Sequence, residues 1–261
     1  MNTARTSTNI TLSVWKALLL REAVSRLSTG RAAWLWLLLE PLVYVVVMLV
    51  IFTIIRMHTV GGIDTIIWLM VGMLAFLMFK RTATQTQNAV GSNQGLFTYR
   101  QVKPVDTVLV RAALEGFITI LVSCILFGGA ALFGIDTLPS DPLSVLEAFF
   151  GLWLLGMGFG LIASVAGELV PELDKVIGFA MTPLYFASGV IFPIAVIPQP
   201  YRDWLLLNPV VHGVEAARLG FAPYYHAVPD LSIAYIYGFA LGAIFFGLAL
   251  HRRFAERLVT E

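Results

Sequence analysis

The chain has 261 residues, a formal net charge of +1, 58% hydrophobic but only 13% charged residues, and a mean hydropathy of +0.83. Soluble domains carry roughly 25% charged residues, so a water-soluble enzyme or a nucleic-acid-binding module is excluded. The composition describes an all-α integral membrane protein, read as a single membrane domain over residues 1–261.

No cleavable leader is expected, because Met1 to Thr11 is polar and the first apolar run is too long and too late for a leader core. Residues 10–29 space Leu12, Trp15, Leu18, Leu19 and Val24 among charged positions, which suits an amphipathic helix lying in the membrane interface. Its charged residues Lys16, Arg21, Glu22 and Arg26 then face headgroups or a cytosolic partner. Six apolar runs follow, each near the roughly 20 residues that a bilayer core requires. They cover 32–55, 63–83, 105–133, 143–167, 176–192 and 231–250, and make up a bundle over 32–250 with a tail at 251–261.

In the first run, Glu40 and Pro41 fall roughly 13 Å deep. An ionisable group at that depth needs a partner or water, so Glu40 is either a carboxyl held by a neighbouring helix or a residue beside a polar passage. The connector NQGLFTYRQVKPVDT, residues 93–107, is the least apolar passage in the middle of the chain. Pro104 suits the first position of the next helix, with Asp106 near its positive end. That run would be about 43 Å long as one helix, so its first turns project from the membrane and place Asp106, Arg111 and Glu115 at or near the interface. The single cysteine, Cys124, forms no intramolecular disulfide and is expected in packing.

Gly156, Gly158 and Gly160 in the fourth run suit close helix contact, and Pro183 in the fifth allows bending. Residues 193–230 are too interrupted by proline to span, and read as re-entrant or outer-leaflet helices. His212 and Glu215 there share a helical face, but no third ligand lies nearby and no metal site is expected.

Basic residues set the orientation, since loops rich in Lys and Arg stay in the cytoplasm. Arg5, Lys16, Arg21, Arg26, Arg31, Lys80, Arg81, Arg100, Lys103, Arg111, Lys175, Arg252, Arg253 and Arg257 fall on one side. Only Arg56, Arg202 and Arg218 fall on the other. Both termini and the connectors 84–104 and 168–175 are therefore expected in the cytoplasm, with 56–62, 134–142 and 193–230 facing outward. No GxxxxGK[ST] phosphate loop occurs, and no nucleophile–base constellation is apparent. A connector placed this way either docks on a soluble partner or rests its aromatic residues on headgroups.

The words LREAVSR, WLWLLLEPL, NQGLFTYRQVKPVDT, PELDKV, PLYFASGVIFP and NPVVHGVE occur in this order over residues 20–250. In these the chain closely resembles the KpsM-like capsular-polysaccharide export permeases, a branch of the type-2 ABC transporter permeases. The resemblance implies a permease of the bacterial inner membrane that forms a homodimer on two copies of a separate cytoplasmic ATPase. That partner would supply ATP and Mg2+ chemistry, and this chain would bind no cofactor of its own. The cargo implied is a lipid-linked acidic polysaccharide, with periplasmic or outer-membrane export partners beyond. A short coupling helix would correspond to Leu96, Phe97, Thr98, Tyr99 and Arg100, with Lys103 beside it. Aromatic candidates for the glycan pathway are Trp34, Trp36, Tyr44, Phe76, Trp153, Phe159, Tyr185 and Phe186; the resemblance favours Tyr44, Tyr185 and Phe186, on spans one and five at the dimer axis. The rival readings are a permease for O-antigen, teichoic acid or another lipid-linked polymer, a membrane enzyme acting on lipid-linked sugars, and a membrane scaffold.

Overall fold

The computed structural model describes residues 7–28, 33–54, 59–60 and 62–260. In order it contains α1 (Ser7–Ser28), α2 (Ala33–Ile54), the strands β1 (Thr59–Val60) and β2 (Ile63–Asp64), α3 (Thr65–Gln87), a 3-10 turn (Gly91–Leu96) and α4 (Pro104–Leu132). There follow α5 (Pro142–Leu169), α6 (Glu172–Ala187), a 3-10 turn (Ile194–Val196), α7 (Tyr201–Leu206), α8 (Pro209–Phe221), α9 (Ile233–Arg253) and α10 (Arg257–Thr260).

Helix starts follow local chemistry. Pro104 opens α4 behind Lys103, whose N–H donates to the Asp106 carboxylate at 3.1 Å. Asp141 caps α5 by accepting from the N–H groups of Leu143 and Ser144, at 3.1 and 3.2 Å, ahead of Pro142. Hydrogen bonding, led by the Ser144 hydroxyl, holds the Asp141 carboxyl below its ordinary pKa. Asn208 caps α8 ahead of Pro209 in the same manner. Ahead of α3, β1 and β2 pair antiparallel with Thr59 opposite Asp64 and Val60 opposite Ile63. The turn between them takes Gly62 to φ +93°, a conformation in which a side chain would be strained.

α3, α4, α5 and α9 are long and apolar enough to cross a membrane. Among the described residues α2 adds a shorter apolar stretch, Leu39–Ile51, and α6 is a helix of 16 residues. The expected run 176–192 is thus helical from Glu172 but only to Ala187, because Ser188 and Gly189, at φ +65°, turn the chain out of the helix. The segment 193–230 contains two helices, and α8 is largely buried against α5, α3 and α9 rather than laid along the surface.

α5 is the axis of the bundle, packed chiefly on α9, α3 and α8. Its glycines explain how. A Cβ on Gly156 would stand 2.7 Å from the Phe79 carbonyl oxygen, and one on Gly160 would run into the Thr86 side chain, so this face admits α3 closely. On another face, a Cβ on Gly158 would lie 2.9 Å from Ala243 Cβ and 3.1 Å from the Ala240 carbonyl oxygen of α9. The glycines are contact points between helices. Cys124, by contrast, points outward from α4 and is exposed, not packed, since the inner face of that turn is taken by Val122 and Leu126.

Replacing Gly156 by Leu forces α3 away from α5, and an overpacked site of this kind costs about 1–3 kcal/mol. A lowered thermal midpoint of the detergent-purified protein, with a smaller effect for Gly178→Leu, where no atom stands within 4 Å of the position a Cβ would take, is the expected outcome.

Candidate functional site: a connector and a membrane cleft

Both ends of α3 carry features that bear on function. At the end shared with the two termini, the connector from Asn88 to Lys103 begins with the 3-10 turn Gly91–Leu96 and continues in turns to the start of α4. The short helix expected over residues 96–100 is therefore displaced: Leu96 closes it, and Phe97 to Arg100 lie beyond. Phe97 is only 5% exposed and packs with Ala89, Val90, Val108, Ala112 and Leu161. This corrects its expected place as a surface anchor, because the chain folds the ring inward to hide its area from water. Thr98, Tyr99, Arg100 and Lys103 are exposed, Tyr99 by 65%, while Leu96 is half-buried.

Beneath the connector lies Arg111. Expected near the membrane interface, it is 8% exposed and donates to the Glu22 carboxylate (2.7 Å from Nε), the Asn88 carbonyl (3.1 Å) and the Ser92 hydroxyl (3.3 Å). Its reach to Gln85 and Asn88 meets carbonyls at and just past the end of α3, where bonding within the helix runs out; the Asn88 oxygen also accepts from Ser92. Glu115, also expected near the interface, is fully buried and takes the Arg81 guanidinium at 3.1 Å. Burial requires each charge to find an opposite one.

α1 docks on this region rather than standing apart. Trp15 Nε1 donates to Asp106 at 2.8 Å, Arg21 donates to Asn93 at 2.8 Å, and Glu22 pairs with Arg111. Lys16 stays exposed, as do Leu12, Leu20 and Val24, while the Arg26 side chain lies outside the described residues. The connector 168–175 joins the same assembly: Gln87 donates to Asp174 at 2.6 Å and Gln94 to Glu168 at 3.1 Å.

Higher in the bundle, α2, α3 and α6 enclose a cleft of about 560 Å³. It collects Tyr44, Phe76, Tyr185 and Phe186 together with Glu40, Pro41, Lys80 and Arg81. Phe76 meets Tyr185 edge-on at 5.1 Å between centroids, and Tyr185 meets Phe186 at 5.6 Å. Four of the expected aromatic residues thus converge from three helices. Trp153 and Phe159 do not join them. Trp153 donates to the Ala112 carbonyl at 2.8 Å and stacks on Phe150, and Phe159 meets Phe79 at 6.3 Å, so both serve the contacts of α5 with its neighbours. The side chains of Trp34 and Trp36 lie outside the described residues. Both α2 and α6 continue through their prolines, Pro41 and Pro183. Glu40 is exposed beside the cleft, and among the described residues no neighbouring helix pairs with it.

At the opposite end of α3, Arg218 is fully buried. Its guanidinium donates to Glu215 (2.7 Å), Gly189 O (2.8 Å), Val190 O (2.9 Å) and Trp68 O (3.3 Å), and lies 3.7 Å over the Trp68 ring. Tyr225 donates to the same carboxylate at 3.1 Å. His212, which shares a face with Glu215 in the sequence, turns to other partners: Nδ1 accepts from Ser232 N–H, leaving Nε2 to donate to Leu206 O at 2.8 Å. Among the described residues no group of three or more His, Cys, Asp or Glu stands ready for a metal ion. Sequence reasoning missed the Arg218 centre, although Glu215 and Arg218 at i, i+3 in an apolar helix were its available signal.

Over residues 13–222 the sequence matches the ABC-2 type transporter family. The chain belongs to that family. It is 36% identical over 246 residues to the polysialic acid transport protein KpsM of Escherichia coli, covering 94% of this chain and 95% of that one. It is 29% identical over 208 residues to the capsule polysaccharide export inner-membrane protein CtrC of Neisseria meningitidis serogroup A, covering 78% and 77%. With the corresponding BexB of Haemophilus influenzae it shares 25% over 208 residues, covering 80% and 78%. The matched region takes in α1, the connector, the cleft and the Arg218 centre.

Arg218→Met strands the buried Glu215 carboxylate, and breaking a buried pair from one side costs about 3–5 kcal/mol. Adding Glu215→Gln is expected to return part of that loss in thermal unfolding followed by tryptophan fluorescence; a double variant no more stable than the single one would contradict the pairing.

Proposed function

We propose that this chain is the transmembrane permease subunit of an ATP-driven exporter that moves lipid-linked acidic capsular polysaccharide across the bacterial inner membrane. The observation that carries this reading is the kinship over nearly the whole chain with capsule-export proteins of the ABC-2 family. Two copies of the permease pair through α2 and α6 and dock on two copies of a separate ATPase, which binds ATP and Mg2+. The polymer passes between the permeases toward periplasmic and outer-membrane partners.

The pairing is supported by surface that one chain leaves uncovered. On α2, Val43, Val46, Val47 and Val50 are exposed; on α6, Val176 and Phe179 are exposed and Met181 alone is buried. These two helices flank the aromatic cleft, so joining two copies there brings two clefts toward one axis. Rings without bound charge suit a moving glycan, since they give contact area to sugar faces without fixing any one unit.

In this reading six segments span the membrane, α2, α3, α4, α5, α6 and α9, with both termini in the cytoplasm. The exposed turn Thr98–Arg100 with Lys103 then faces the ATPase. Tyr99 and Arg100 form the contact, an aromatic anchor beside a cation, and buried Phe97 holds the turn in shape. Motion at that turn passes into the bundle along the links from Gln87 to Asp174 and from Gln94 to Glu168.

Changing Tyr99 and Arg100 together to Ala is expected to abolish surface polysaccharide while the permease remains in the membrane, with ATPase recovery in pull-downs lowered about tenfold or more, as for loss of a binding hot spot. Normal export by this variant would refute docking there. In a Cys124→Ala background, a cysteine at Leu138 should react with an impermeant thiol reagent in intact cells; labelling only after lysis would invert the topology.

A further inference from the structure

Two charged groups and a phenol stand at the cleft between α2, α3 and α6. Lys80 opens into it, is exposed, and has no ion pair among the described residues, whereas its neighbour Arg81 is committed to Glu115. Glu40, on the α2 wall, is likewise unpaired among the described residues. The Tyr185 hydroxyl on the α6 wall is buried near the Tyr44 phenol and meets no well-formed hydrogen bond among the described residues. Charged groups inside apolar helices are costly and mark ligand or ion paths when no partner neutralises them, and a buried hydroxyl with no partner calls for one.

We propose that this cleft binds one acidic sugar unit, with its acid group on the Lys80 ammonium, its hydroxyls on Glu40 and Tyr185, and its ring face against Tyr44 and Phe76. The proposal rests on the exporter reading above and names the contacts its cargo makes. Lys80 follows Phe76 by one turn, about 6 Å along the helix axis. Phe76 in turn lies 5.1 Å from Tyr185 between ring centroids, and Tyr44 lies 6.4 Å from Tyr185. Cation and ring face are therefore reached in succession along α3, with the phenol facing them from α6. The volume of about 560 Å³ falls within the range of small-ligand sites.

The mixture of groups distinguishes an acidic sugar from a bare phosphate headgroup. A carboxylate accepts from hydroxyls and an ammonium donates to acids, so a unit bearing both satisfies both. A phosphate without hydroxyls could accept from Lys80 and Tyr185 but brings no donor to Glu40 and would meet repulsion there. The glycan need not be held strongly, because one exposed cation and one phenol release it as the next unit arrives.

The test uses cells whose own copy is deleted and restored with wild type, Lys80→Arg, Lys80→Gln, Tyr185→Phe, or the exchange Glu40→Lys with Lys80→Glu. Surface acidic polysaccharide is normalised to permease level in the membrane. Photo-crosslinking from p-benzoylphenylalanine at position 186 reports what occupies the cleft. Lys80→Arg is expected within about twofold of wild type, Lys80→Gln about tenfold lower and Tyr185→Phe severalfold lower, as for lost charge-assisted and neutral hydrogen bonds. The crosslink should capture polysaccharide, and should fade in Lys80→Gln. Export by Lys80→Gln at the wild-type level, or Lys80→Arg failing as badly as Lys80→Gln, overturns the proposal. So does rescue by the charge exchange, which would show the two side chains pairing with each other, or capture of phospholipid alone. In each case the exporter reading stands; wild type restoring no polysaccharide export would overturn that reading and this inference with it.

Discussion

A helix that stops in apolar surroundings leaves its last carbonyls unsatisfied, and this fold meets that requirement with two buried guanidinium groups at opposite ends of α3. Arg218 takes the carbonyls of Gly189 and Val190, just past the end of α6, and that of Trp68 near the start of α3. Arg111 takes those of Gln85 and Asn88 at the end of α3. Each guanidinium is neutralised by one carboxylate, Glu215 or Glu22, so the apolar interior is left with no uncompensated charge at either centre. The two centres thus tie down the break after α6 and the connector after α3.

The consequences reach the functional regions from both sides. α6 has one buried side chain, Met181, and is fixed mainly at its ends, by Arg218 beyond its last turn and by the Gln87–Asp174 link at its first. Its middle is left to form one wall of the cleft. The connector is likewise fixed from below, by Arg111, by α1 and by the inward Phe97 ring, so that Tyr99 and Arg100 stand on rigid ground. In the coupling role proposed for this turn such backing matters, since a loose loop would absorb the displacement.

Much was legible in advance where the signal is local. Apolar run length located the long helices to within a few residues at most ends, and Pro104 with Asp106 marked the start of α4. The glycine cluster in α5 read correctly as contact between helices. Tyr44, Phe76, Tyr185 and Phe186 were named from chemistry and resemblance, and three helices bring them together. What failed depended on which way a side chain turns. Phe97 looked like an anchor because a polar connector surrounds it, Trp153 looked like a lining residue because it is aromatic, and the partners of Arg111 and Glu115 were not read. Each was decided by a neighbour distant in sequence: Val108 and Leu161 for Phe97, Ala112 for Trp153, Glu22 for Arg111 and Arg81 for Glu115.

By itself the sequence determined the membrane class, the order of the helices, their caps and the charge asymmetry, because these follow from hydropathy and from hydrogen bonds within one turn. Only the tertiary structure decided which charges pair, which aromatic rings share a cleft, and that Lys80, Glu40 and Tyr185 line it together. The physical reason is that solvation and pairing of a buried group are set by what lies across from it in space, and pairs such as Arg111 with Glu22 or Phe76 with Tyr185 are separated by tens of positions or more along the chain.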